Sequence, residues 1–332
     1  MLCRVATLYL FIRKELFAQM RLAVIDIGSN TIKMTVFDAK ESQTAIYSKT
    51  VHARLSAHVS DGYLSRNGIR TLVCAVNALK RDARAYRCKR QNIYAFATAC
   101  IREAKNREIV LRIAERSTKM KIDLLSGERE GEICFIGALC SGRCPQNGVL
   151  ADLGGGSCEF ISFENGNITD KISLSIGAVA NYRKFVSGDY ITPSELSKLL
   201  KHLGDETSPI GDRIKMPIGG EMILTGGSAR ATVNIVSALR SDSATLPYTL
   251  KLCEIEDLCQ KSASGELRDL VEKIAKERAK ALPCGVAVFC IAAKALGKDT
   301  LTVVSGGARE GYAQTLINKR KKEFKIYGNK RK

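Results

Sequence analysis

Apolar and glycine-rich positions repeat one design twice along the chain. Val24-Ile25-Asp26-Ile27-Gly28-Ser29-Asn30-Thr31 and Leu150-Ala151-Asp152-Leu153-Gly154-Gly155-Gly156-Ser157 lie 126 positions apart, each an apolar strand ending in an Asp and a glycine turn. β-Rich runs follow at Ile32 to Phe37 and Cys158 to Phe163, and polar reversals begin at Asp38 and Glu164, both 12 residues beyond their Asp. The pattern predicts strand, loop, strand, turn and third strand twice, hence two related half-molecules facing one cleft.

Between and after these repeats the apolar period changes. Ile69, Leu72, Val73, Val76, Leu79 and Ala83 recur at helical spacing within Ile69 to Arg87, ahead of a buried strand at Ile93 to Thr98. A short strand at Ile122 to Leu125 breaks at Ser126-Gly127 before a helix from about Glu128 to Leu139, which puts Glu130 in its first turn. Thr192-Pro193-Ser194-Glu195 is a capping box that opens an amphipathic helix through Leu203. Two more glycine turns, Gly226-Gly227 and Gly306-Gly307, follow apolar strands and lead into helices. Helix alternating with strand predicts an α/β fold. Ser141 to Gly148, rich in Gly, Pro and Asn, is the only plausible connector between the halves.

Composition narrows the class. The 332 residues are 45% hydrophobic and 26% charged, enough for two folded domains of ordinary size. The longest early apolar run, Val5 to Ile12, is far too short for a bilayer, so no membrane association is expected. Residues 1–20 lack a small-residue cleavage site, and Met20 directly precedes the first strand. A misassigned start is expected there. Twelve cysteines lie scattered through apolar segments, the pattern of buried thiols in a cytoplasmic protein. Cys140 and Cys144 lack the further ligands that zinc needs.

Charge adds a substrate class. The formal charge is +18, of which Asn318 to Lys332 contributes +7 and the remainder +11. Such a field attracts polyanions: polyphosphate, nucleotides, nucleic acid or anionic lipid. A solvated basic tail is the plainer explanation.

Glycine turns let backbone amides cradle an anion, because no Cβ blocks the approach. Neither loop matches the Walker or dinucleotide patterns. Asp26 and Asp152 suit Mg²⁺, which takes one or two carboxylates plus substrate phosphate, and Glu159 sits on the same strand face as Ser157. Glu128, Glu130 and Glu132 are equal candidates for the base that activates water, and equally for helix-dipole acids. Arg102, at the end of a strand, suits either phosphate or a surface ion pair.

Seven segments in order resemble the exopolyphosphatase/guanosine pentaphosphate phosphatase (Ppx/GppA) family, of the actin-like, sugar-kinase and Hsp70 superfamily. They are Asp26 to Thr31, Ala97 to Asn106, Leu125 to Glu130, Asp152 to Glu159, Ser173 to Val179, Thr225 to Arg230 and Ser305 to Gly311, within a span from Arg21 to Tyr312. The resemblance implies two actin-like, ribonuclease H-like lobes with an active-site cleft between them: lobe I over 21–128, lobe II over 129–310, and 311–332 as a C-terminal helix returning toward lobe I with the basic tail. It makes Glu130 the general base and assigns metal to Asp26, Asp152 and Glu159. Phosphate falls to Gly28, Ser29, Asn30, Thr31, Arg102, Gly154, Gly155, Gly156, Ser157, Gly226 and Gly227. The chain ends shortly after Gly311, as in a short form without the C-terminal helical extension.

The expected activity is Mg²⁺-dependent removal of the terminal phosphoryl group of inorganic polyphosphate. Guanosine pentaphosphate 5′-phosphohydrolysis is the alternative; an actin-like sugar or acid kinase and a non-catalytic polyphosphate binder stand behind both. Nucleic acid is not the expected partner, and a homodimer is the assembly the family suggests. Cys158, Ala99, Ser175 and Lys280 depart from the family's usual Thr, Ser, Pro and Asp.

Overall fold

The computed structural model describes residues 21–38 and 41–329, with side chains at 21–38 and 44–322. The N-terminal segment and the last three residues of the basic tail lie outside the described residues. Two compact units divide the rest, one running to Leu124 and resuming at Ala308, the other spanning Leu125–Gly307.

The first unit is built on β1 (Arg21–Ile27), β2 (Ile32–Asp38) and β3 (Glu41–Val51), a small hairpin of β4 (Val59–Ser60) and β5 (Tyr63–Leu64), then β6 (Ile93–Ala97) and β7 (Ile122–Leu124). Its sheet runs in the order β3-β2-β1-β6-β7, antiparallel among the first three strands and parallel from β1 to β7. β1 is apolar on both faces because helices cover it on both sides, so its burial is nearly continuous rather than alternating. Helix Arg66–Ala85 begins three residues before the apolar period because Ser65 caps it, accepting from Gly68 N–H at 3.2 Å. The C-terminal helix Ala308–Asn329 packs on β1, β2 and β3.

The second unit repeats the plan with β8 (Gly148–Leu153), β9 (Cys158–Glu164), β10 (Asn167–Leu174), β11 (Glu221–Thr225), β12 (Tyr248–Lys251) and β13 (Thr300–Val303), ordered β10-β9-β8-β11-β13-β12. Strands β8 and β9 pair as β1 and β2 do; Asp152 faces Glu159 as Asp26 faces Lys33, each partner seven residues on. β12 is the addition, antiparallel at the edge. The β9–β10 reversal is an Asn165-Gly166 turn with φ of 51° and 71°, the left-handed pair that a tight hairpin requires. These are two α/β units of one strand plan, as the repeat predicts, with the actin-like, ribonuclease H-like strand order that the resemblance implies.

One expectation fails. The loop at Ser141 to Gly148 lies inside the second unit, and the chain passes between units at Leu124–Leu125. Helix Gly127–Cys140 packs on β8, β9 and β10, so its burial assigns it to the second sheet, and the loop after it merely returns the chain to β8. Among the described residues no helix is long and apolar enough to cross a membrane.

Candidate active site

Loop Gly154-Gly155-Gly156-Ser157 closes on itself through Gly154 N–H and Ser157 O at 2.9 Å. Its carbonyls then turn one way: Gly154 O accepts from Ala178 N–H at 3.1 Å, Gly155 O from Val179 and Ala180 N–H at 2.9 Å, and Gly156 O from Gly177 N–H at 3.0 Å. A trans peptide sets its N–H opposite its C=O. The amides of Gly155, Gly156 and Ser157 therefore point away from helix Ala178–Phe185, three donors in succession with a helix N-terminus behind them. A Cβ at Gly177 would lie 2.3 Å from Gly156 C, so glycine is what permits the seat.

Asp152, at the end of β8, is held at both oxygens. Cys134 Sγ donates to Oδ2 at 2.9 Å and Thr225 Oγ1 to Oδ1 at 2.8 Å. Gly226 follows with φ of +94°, and a Cβ there would stand 2.9 Å from Asp152 Oδ1. Gly227 packs instead beneath the Arg278 guanidinium. Glu159, with no exposed surface, accepts from Ser173 Oγ at 2.7 Å.

Glu130 is 8% exposed on helix Gly127–Cys140, whose Ser126 cap accepts from Arg129 N–H at 3.2 Å. Gly131 lets this helix press onto β9, since a Cβ would meet Ile161 Cδ1 at 2.5 Å and Glu159 Cβ at 3.1 Å. The Cys134 thiol records the result. Burial pushes its pKa well above the usual thiol value, and the charges of Asp152, Glu130 and Glu159 raise it further, so three acids share one neighbourhood. Glu128 and Glu132 point elsewhere, to Lys171; Glu132 also accepts from Arg129 at 2.6 Å.

The first unit carries its own loop. Gly28 N–H reaches Thr31 O at 3.1 Å, while Ser29 O and Asn30 O accept from Ser56 and Arg54 N–H at 2.9 and 2.8 Å, which turns the amides of Asn30 and Thr31 the other way. Asp26 lies two residues before it, opposite Lys33. Arg102 closes a single helical turn, Ala99–Arg102, rather than standing on the strand end itself.

Three residues of this site escaped the sequence reading: Cys134, Thr225 and Ser173. Cys134 had a signal, since it lies four positions after Glu130 and so on the same helix face. Thr225 and Ser173 reach their carboxylates only through sheet register, which no local pattern encodes.

A model of the Ppx/GppA phosphatase family matches residues 35–320. The chain belongs to that family. The matched span includes Arg102, Glu130, Asp152 and Glu159 and begins after the first loop. An uncharacterised protein of Streptomyces coelicolor is 31% identical over 202 residues, 59% of this chain; the chain spans 59% of the length of that relative. Solved structures share the fold. The Ppx/GppA family member of Aquifex aeolicus is 24% identical with a TM-score of 0.73, over 92% of this chain and 98% of its own. An exopolyphosphatase of Cytophaga hutchinsonii is 17% identical with a TM-score of 0.79, over 90% and 98%. Of this chain's departures from the Ppx/GppA pattern, Lys280 finds a local partner, pairing with Asp189 at 2.5 Å. Cys158 and Ala99 are buried apolar substitutes.

Whether a divalent ion suits the second unit is decided by donor chemistry. Among the described residues no group of three His, Cys, Asp or Glu side chains gathers as a cage. Mg²⁺ does not require one, because it keeps waters and relies on substrate phosphate. Asp152 and Glu159 are register partners across β8 and β9, with Glu159 wholly buried. A divalent cation at Asp152 would offset the charge of this pair, so the two acids are compatible with such an ion.

Proposed function

We propose that the protein is an exopolyphosphatase that hydrolyses the terminal phosphoanhydride of inorganic polyphosphate and releases orthophosphate. The observation that carries the reading is the second unit's combination of a three-amide loop, a clamped Asp152 and a buried Glu130 within one electrostatic neighbourhood. The loop amides bind terminal phosphate oxygens and orient the phosphoryl group for in-line attack. Glu130 takes a proton from the attacking water as the new P–O bond forms, and the terminal P–O bond breaks so that the shortened chain departs on the bridging oxygen. Mg²⁺, held by Asp152 with Glu159 beside it, supplies charge neutralisation on the phosphate oxygens when bound. In the first unit the family resemblance assigns metal to Asp26 and phosphate to the 28–31 loop and Arg102.

The polyphosphate preference draws support from the +18 charge, which suits a linear polyanion. The fold likeness to an exopolyphosphatase points the same way. Phosphate release should be measured with Mg²⁺ from polyphosphates of graded length and from guanosine pentaphosphate, comparing wild type with Glu130→Gln. Polyphosphate turnover that vanishes in the variant is expected. Equal rates in the two proteins would overturn the assigned base, and faster turnover of guanosine pentaphosphate would move the assignment to the 5′-phosphohydrolase.

A further inference from the structure

The proposed chemistry assigns no residue of the basic tail, whose described portion begins on the first unit. Arg320, on helix Ala308–Asn329, donates to Asn92 Oδ1 at 3.1 Å and to the Tyr94 hydroxyl, at the start of β6. Close by in the sequence, other cations converge on the end of helix Arg107–Thr118. Lys80 Nζ donates to Thr118 O, and Arg90 Nη2 to Lys119 O at 3.1 Å. Helix C-termini attract positive charge, which accounts for two of them. Arg84 and Lys119 add more: burial lowers the Lys80 pKa, and the charges of Arg84, Arg90 and Lys119 lower it further, so the four share one field.

Among the described residues no acid forms an ion pair with this cluster. Asp82 is bound to Lys49 at 2.7 Å, while Glu115 accepts from Ile122 N–H at 2.9 Å and Asp123 from the Tyr312 hydroxyl. Among the described residues Arg84, Arg90 and Lys119 form no ion pair, and all three are exposed. Their position excludes a role at the 28–31 loop. β6 and β7 run parallel to β1, so the segments leading into them stand at the opposite end of the sheet from the loop that leaves β1. Five residues of strand separate the two ends, about 17 Å.

We propose that Arg84, Arg90 and Lys119 form a tether that binds inorganic polyphosphate at phosphates remote from the end being hydrolysed. The proposal rests on the polyphosphate reading of the active site. Single-stranded nucleic acid binding couples charge to open aromatic faces on which bases stack. Here Tyr86 is stacked on Tyr47 at 4.0 Å between centroids, and Tyr94 is covered by Arg320 at 5.8 Å. Charge without free rings suits a chain of phosphates that carries no bases.

The test compares Arg84→Gln/Arg90→Gln/Lys119→Gln with Lys198→Gln/Lys201→Gln/Lys273→Gln, which removes the same charge from exposed positions of the second unit. KM and kcat are read for tripolyphosphate and for long-chain polyphosphate across a salt series. The first variant should raise KM for the long chain about fivefold or more and flatten its log–log salt dependence by about 2, while kcat and the tripolyphosphate constants stay unchanged. The second variant should track wild type. An equal rise for both substrates, no rise for either, or an equal effect of the second variant would overturn the tether.

Binding of labelled long-chain polyphosphate and of single-stranded RNA is measured in parallel on a Glu130→Gln background. Loss of RNA binding with polyphosphate binding intact would also overturn the tether. Should wild type release no phosphate, the functional reading fails, and the polyphosphate-binding measurement still decides the tether by itself.

Discussion

The two glycine loops share a hydrogen-bond plan and differ in what surrounds it. Each closes from its first glycine to the residue three positions on, and each turns its carbonyls to one side and its amides to the other. In the first unit the carbonyls meet a segment around the 3₁₀ turn Leu55–His58, and the residue opposite Asp26 is Lys33. In the second they meet the N-terminus of an α-helix, and the residue opposite Asp152 is Glu159. A lysine thus stands opposite the first Asp and a glutamate opposite the second, so the cross-strand charges are unlike in one unit and like in the other. The backbone plan is shared; the cross-strand partner differs.

Removing Glu130, the base proposed for the second unit, should produce the largest effect. Glu130→Gln should lower kcat by about 10² to 10⁴-fold with polyphosphate binding retained, as read by steady-state rates and equilibrium binding. The loop seats come next. Gly177→Ala forces a Cβ into Gly156 backbone and should cost about 1–3 kcal/mol and displace the amides, whereas Gly28→Ala meets only Thr31 O at 3.1 Å and should cost about 1 kcal/mol or less. Denaturant unfolding with parallel KM measurements checks both, and equal losses would refute the contrast between loops.

Mg²⁺ sharpens the comparison further. At about 100 times its dissociation constant it should stabilise wild type by about 2.7 kcal/mol. Glu159→Gln removes the opposed charge, so the metal-free variant should melt higher than metal-free wild type and gain less from Mg²⁺. A Tm unchanged by Mg²⁺ in wild type would remove the ion from Asp152.

The smallest effect concerns alkaline pH. Burial raises Cys134 and Cys158 well above the usual thiol value, Cys144 to about 11 and Cys284 to about 12, all in the second unit; the first unit has Cys88 at about 11. A buried thiol that keeps its proton binds it more tightly folded than unfolded. Its contribution is therefore complete below about pH 8.5 and is lost as pH rises through the folded value. Hydrogen exchange at pH 7 and pH 10 should show the second unit loosening first.

Much of this was legible in the chain because it is local. The strand–Asp–glycine repeat, the Asn165-Gly166 reversal, the Thr192 capping box and the Ser126 stop all follow from period and turn chemistry, and the observed elements differ from the predicted ones by a residue or a few at each end. By spacing Glu130 was one of three equal acids, and the family resemblance singled it out. Helical phase cannot say which of three neighbouring positions meets a strand 29 residues away; Gly131 against Glu159 decides it, while Lys171 draws Glu128 and Glu132 outward. The connector at 141–148 misled for the same reason, since loop composition marks a surface turn and says nothing about which sheet a preceding helix covers.

By itself the sequence determined the duplicated α/β plan, the two phosphate-sized loops and the basic tail, because hydrophobic period, glycine freedom and charge are properties of short segments. Tertiary structure alone decided that Asp152 is clamped by Cys134 and Thr225, that Glu159 is its register partner in a buried strand, and that Lys80, Arg84 and Arg90 gather with Lys119 at the far end of the first sheet. Those are relations between residues tens to hundreds of positions apart, set by sheet register and helix docking.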